Sequence, residues 1–248
     1  MDMNYFAGRR TRRHFTDRRV DDALLQKIVA DASHAPNTGN MQTYSIVASR
    51  KGEGRKALEG FHFNQPAAVE ADVLLTVCAD FNLFSRWCRL SGAEPCYDNF
   101  MSFSSAMTDA VILAQQIVTV AELNGLGSCY LGTVTYNPEE ISRLLGLPEL
   151  VVPVACVALG YPADGGVEAE RLGTPAFLFN EKYPELTDAQ ILENYRVKDE
   201  YPDNARFVAE NGKESLAQVF TDVRYTRAMM EGSSEKLLAA IRRAGFLK

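Results

Sequence analysis

The chain has 248 residues, 46% of them hydrophobic, 23% charged and 10% aromatic, with a net charge of −6. These fractions exclude the disordered, collagenous and disulfide-rich classes and leave room for one large core. The acidic balance argues against a nucleic-acid partner, and five scattered cysteines without a CxxC pair read as reduced cytoplasmic thiols.

The chain opens on Arg9, Arg10, Arg12 and Arg13, followed by Arg18 and Arg19, with no apolar signal core before them. Guanidinium forks of this density suit an anion such as phosphate, or serve as a solvated arm. A helix is predicted over Asp21 to Ala32, from Leu24, Leu25, Ile28 and Val29 and a capping aspartate. The loop Pro36-Asn37-Thr38-Gly39-Asn40 follows, then strands over Thr43 to Ser49 and Asp72 to Ala79. Residues 80 to 101 read as an excursion with partial helix. Ser102 to Asn124 reads as a long helix closed by Gly125, apolar around most of its circumference and so buried from several sides. Its Asp109, Gln115 and Gln116 exclude a membrane span, and the longest apolar run, Val151 to Leu159, is too short for one.

A short strand, Ser128 to Leu131, precedes a helix over Pro138 to Leu145 with Asn137 as N-cap. Leu150 to Leu159 reads as a buried strand. Residues 164 to 204 are polar and proline-punctuated, and helices are predicted over Lys213 to Met230 and Ser234 to Ala244. Alternating strands and helices indicate an α/β or α+β domain. There is no GxGxxG, no Walker A, no GxSxG and no metal spacing among the three histidines, so a dinucleotide fold, serine hydrolysis and a metal site are unsupported.

The opening Arg9-Arg10-Thr11-Arg12-Arg13-His14-Phe15 resembles the start of the FMN-dependent nitroreductase family, closest to its NADPH-preferring, oxygen-insensitive branch. Four blocks follow in family order: Ala35 to Gln42, Gln65 ahead of Val77 to Phe81, Gly125 to Gly132 with Leu144 to Pro148, and Val154 to Pro162 with Arg171-Leu172. The likeness covers residues 5 to about 180. It implies an α+β fold, with a mixed central sheet flanked by helices, over residues 1–180. Residues 181–248 would be a C-terminal helical arm lying on the core or on a dimer partner.

By the same resemblance, two FMN sites lie at the interface of a homodimer. Arg9, Arg10 and Thr11 would hold the flavin phosphate and ribityl chain, and Arg13 the N1/C2-carbonyl edge. Asn37 and Gln65 would contact the ribityl or ring, from the same chain or its partner. Tyr130, Leu131, Gly132 and Thr133 would pass their backbone near N5, and Arg171 would close on the phosphate. Arg224 and Arg227 of the tail are candidates for an NADPH 2′-phosphate. Thr133 stands where the branch has a second glycine, and Ala169-Glu170 where it has Lys-Pro. The expected enzyme takes hydride from NADPH or NADH and reduces nitroaromatics, quinones or similar small molecules. The cofactor carries that chemistry, so no side chain is expected to be catalytic. A flavin reductase and a non-catalytic FMN-binding redox sensor are the alternatives.

Overall fold

The computed structural model describes residues 4–247. They form two compact units, Met1–Val167 with Ser233–Lys248, and Glu168–Gly232. The stretch expected as an arm, 181–248, is therefore shared between the two.

The first unit is built on a four-stranded sheet in the order β1-β2-β4-β3. Helix α1 (Asp22–Ala32) precedes it, with Asp21 accepting from Ala23 N at 2.8 Å as the sequence predicts. Strand β1 (Tyr44–Arg50) is half-buried, whereas every residue of β2 (Val73–Asp80) is buried. Helix α2 (Asn82–Leu90) is the partial helix expected after it. Helix α3 (Phe100–Leu123) starts two residues early because Asn99 caps it, its Oδ1 accepting from Ser102 N at 3.0 Å. Strand β3 (Gly127–Tyr130), helix α4 (Pro138–Leu145) and the wholly buried β4 (Val151–Gly160) complete the core.

The α+β class holds. Among the described residues all strand pairings are antiparallel, where the family resemblance implies a mixed sheet; a parallel neighbour would have to add at an edge, β1 or β3. Pro153 has no N–H to give the ladder, and a bulge absorbs it: Val77 pairs with Ala155, but Cys78 pairs with Pro153.

Alternation along the buried strands feeds two cores. Val73, Leu75, Val77 and Ala79 of β2 face α1 and α3. Leu74, Cys156 and Ala158 face the other way, onto Phe15, Leu58, Ala67, Ala68 and Ile141. At about 2 kcal/mol per fully buried aliphatic side chain, the two layers supply the main driving force for the fold. Within one chain, α3 is covered on one side only. Phe103, Ala106, Ala110, Leu113, Ile117 and Ala121 are buried, while Met101, Val111 and Ile112 are exposed. Burial from several sides is thus not met by the single chain. Among the described residues α3 is also the one helix long and apolar enough to cross a membrane, and it is the core helix of this unit.

Asn137 does not cap α4 with its side chain; its Nδ2 instead donates to Phe61 O at 3.0 Å. The second unit holds two helices that the sequence reading left as irregular chain, α5 (Asp188–Asp199) and α6 (Pro202–Glu210). Helix α5 begins with a capping box between Thr187 and Gln190 and buries no residue, so it carries no stripe to read. The tail breaks earlier than predicted. A short helix, Leu216–Val219, runs into a π-turn, Phe220–Arg224, and α7 (Arg227–Arg243) passes unbroken through Gly232. The sequence places its break at 230–234, where glycine and serines lower helix propensity; that local cost is weak, and the helix runs through it.

Candidate functional site

The arginine segment lies along the sheet because two glycines make room for it. Gly127 and Gly160 are cross-strand partners on β3 and β4. A Cβ on Gly127 would come within 2.9 Å of Arg12 Cβ, and one on Gly160 within 2.9 Å of the Phe15 ring. Backbone bonds fix the register: Arg12 N donates to Ser128 O at 2.9 Å, Thr16 N to Tyr161 O at 2.9 Å, and Ala163 N to His14 O at 3.0 Å. Phe15 is buried in the second core, so the arginines cannot drift as a loose arm.

Glu122, near the C-terminal end of α3, organises the inner part of this segment. Its carboxylate accepts from Arg9 at 2.9 Å, Tyr5 Oη at 2.8 Å and Ser128 Oγ at 2.5 Å, and is only 10% exposed. Burial, reinforced by Glu122, pushes the Tyr5 phenol up to about 12. Arg9 also donates to Thr11 Oγ1 at 3.1 Å, and Arg10 to Gly8 O at 2.9 Å. Arg9, Arg10 and Arg12 line one cavity of about 340 Å³ with Tyr5, Glu122 and Leu126. Arg13 is exposed; burial pushes the Cys129 thiol up, and the charges of Arg13 and Arg9 oppose that rise.

The amide loop is held by the same helix. Asp109, nearly fully buried, accepts from Thr38 N and Thr38 Oγ1, both at 2.9 Å, and from Thr43 Oγ1 at 2.8 Å. Asn37 closes the loop, its Oδ1 accepting from Gln42 N at 3.0 Å. Thirteen residues separate Asp109 from Glu122, about 20 Å of helix. Thr38, beside Asn37, and Arg9 are thus tied to well-separated points of α3 within one chain.

Gln65 follows a left-handed pair, Phe63 and Asn64, with φ of 58° and 50°. The turn Gly132–Thr135 follows β3, with Leu131 buried and Tyr130 exposed. Thr133 Oγ1 lies 2.8 Å from His62 Nδ1, which brings the Gln65 segment and the Tyr130–Thr133 segment together. Arg171 lies in the second unit, where it donates to the carbonyls of the two preceding residues, Ala169 and Glu170. Glu170 turns neither to solvent nor to an anion. It binds Lys198 at 2.9 Å and Asn204 at 3.0 Å; burial raises its pKa, and these two bonds outweigh that and hold it below the usual carboxylate range.

The sequence profile of the nitroreductase family matches residues 6–90 and 99–161, which carry the arginine segment, the amide loop and the Tyr130–Thr133 turn. The chain belongs to the nitroreductase family. The oxygen-insensitive NADPH nitroreductase of Salmonella typhimurium is 31% identical over 191 residues, covering 76% of each chain. An FMN reductase [NAD(P)H] of Bacillus subtilis is 29% identical, covering 83% of each. A Bacteroides fragilis protein described as an oxidoreductase superposes with a TM-score of 0.97 at 43% identity, over 99% of this chain and 100% of its own. This nitroreductase-family protein is accordingly an oxidoreductase in fold and class.

Three residues escaped the sequence reading. Asp109 is the one charge on the buried stripe of α3, which is a readable signal for a pinned loop. Glu122 and His62 gave no local signal for these roles, because Thr133 lies more than seventy residues from His62, and Tyr5 and Arg9 over a hundred from Glu122.

Proposed function

We propose that the protein is a homodimeric, FMN-dependent, NAD(P)H-driven oxidoreductase of electron-poor small molecules, nitroaromatics and quinones among them. The observation that carries this reading is the arginine segment clamped over Gly127 and Gly160, with three guanidinium groups lining one cavity. A dense, fixed cluster of donors fits a phosphate-bearing cofactor far better than a solvated arm does. Arg9, Arg10 and Thr11 hold the phosphate and ribityl chain, Arg13 the N1/C2-carbonyl edge, and Asn37 and Gln65 the ribityl or ring. The backbone of Tyr130, Leu131, Gly132 and Thr133 lies near N5. FMN, when bound, supplies the chemistry: it takes hydride from NADPH or NADH and passes electrons to the acceptor in a ping-pong cycle. The chain binds, orients and sets the field, and Glu122 keeps Arg9 aimed by neutralising it from behind.

The second copy is supported by surfaces that one chain leaves open. Met101 at the start of α3 is 74% exposed and Leu192 on α5 is 70% exposed, and α5 buries nothing of its own. Asn37 adjoins Thr38, which is held at Asp109, while Arg9 is held at Glu122, about 20 Å further along α3; this separation fits a ligand shared between subunits. The five unpaired cysteines fit a reducing, cytoplasmic compartment.

A visible spectrum of the purified protein, before and after NADPH under nitrogen, tests the reading. Flavin bands that bleach are expected, and a colourless preparation refutes it. Turnover of free FMN faster than of nitroaromatics under the same NADPH would instead favour a flavin reductase, the activity named for the Bacillus subtilis relative.

A further inference from the structure

His62 closes the short helix Lys56–Phe61 and is fully buried. Its Nδ1 bonds Thr133 Oγ1, while its Nε2 has no partner. Burial pulls the imidazole down to about 4, so the ring is neutral and carries one proton. Orphaned buried N–H groups are the rarest unsatisfied groups in folded proteins. The proton therefore sits on Nδ1 and is donated to Thr133, leaving the bare lone pair on Nε2.

Two further ties join the same stretches. Asn137 Nδ2 donates to Phe61 O at 3.0 Å, and the Phe63 and Tyr136 rings lie 6.3 Å apart. Between these ties, Phe63 holds a positive φ that a bulky aromatic avoids, and such a conformation persists only where its surroundings over-determine it. A glycine at position 133 could not supply the hydroxyl.

We infer that His62 and Thr133 are a positioning pair, whose hydrogen bond locks the Gly132–Thr135 turn to the Phe61–Gln65 segment and presents both to the flavin as one unit. The inference rests on the FMN reading above. Thr133→Val keeps the β-branched shape and removes the hydroxyl, and Thr133→Ser keeps the hydroxyl. FMN affinity, from the fluorescence of released flavin, and visible circular dichroism of the bound flavin are measured at 20 °C. Thr133→Val is expected to raise the FMN Kd about tenfold and alter the visible dichroism, while Thr133→Ser retains both; should Thr133→Val not fold, Thr133→Ala is read the same way. A valine variant that melts earlier but binds FMN with unchanged Kd and spectrum overturns the inference, as does a serine variant that behaves like valine. A wild-type protein that binds no FMN refutes the cofactor reading itself, and does so before any variant is made.

Discussion

Replacing Asp109 tests the claim that one buried carboxylate pins the amide loop. Three donors converge on it, Thr38 N and Thr38 Oγ1 at 2.9 Å and Thr43 Oγ1 at 2.8 Å. Hydrogen bonds to a charged group contribute about 1.5–3 kcal/mol each, while burying the carboxylate costs several kcal/mol. Asp109→Ala forfeits all three bonds and leaves the buried Thr43 hydroxyl unpaired, for a net loss of about 3 kcal/mol. Asp109→Asn keeps one oxygen for Thr38, and the Thr43 hydroxyl can turn to accept from the new amide, so the loss is about 1 kcal/mol. For a chain of this length, 1 kcal/mol moves Tm by about 2–4 °C. Melting curves should therefore fall by about 6–12 °C for alanine and about 2–4 °C for asparagine, and hydrogen exchange at residues 38–43 should accelerate in both. An alanine variant within 2 °C of wild type, or an asparagine variant as damaged as alanine, would refute the reasoning.

His62 makes stability fall in acid: its folded pKa of about 4 lies below the ordinary 6.5, so the unfolded chain takes up the proton first. Stability is full above pH 6.5 and drops by roughly 3 kcal/mol as pH falls toward 4, so the gap in urea midpoint between wild type and His62→Gln should close over that window. Parallel curves would contradict this. Arg13→Gln removes an exposed cation placed by proposal at the N1/C2-carbonyl edge; the flavin midpoint potential should fall by tens of millivolts with FMN retained, since a two-electron couple moves about 30 mV per 1.4 kcal/mol. Unchanged potential with weakened FMN retention would move Arg13 to the phosphate. Arg224 stacks over Phe207 at 4.1 Å and Arg227 pairs with Glu231 at 3.3 Å, and both remain candidates for the NADPH 2′-phosphate. Their double alanine variant should raise the KM for NADPH at least tenfold and spare NADH; equal effects on both would remove them from the nucleotide site. Light scattering of the holoprotein should give twice the single-chain 27.5 kDa, and a monomer mass would sink the shared-site reading.

The sequence by itself determined the elements whose causes are local. Asp21 and the stripe Leu25–Ile28 make α1, and continuous apolar runs make the two central strands, because a strand buried on both faces has no polar side to show. It also carried the order of family blocks, and with them the arginine segment and the Tyr130–Thr133 turn. Helix α5 stayed hidden because it has no buried face within the chain, and the break at Tyr225 because no glycine or proline marks it. What only the tertiary structure decided are the contacts across long separations. Gly127 and Gly160 become the space that Arg12 and Phe15 occupy only once β3 and β4 pair them. Glu122 behind Arg9, Asp109 beneath Thr38, and His62 against Thr133 are each a charge or ring that a single sequence window leaves without a partner. Burial makes an unpaired polar group costly, so the fold must bring each one its donor or acceptor, and which residue answers depends on the path of the whole chain.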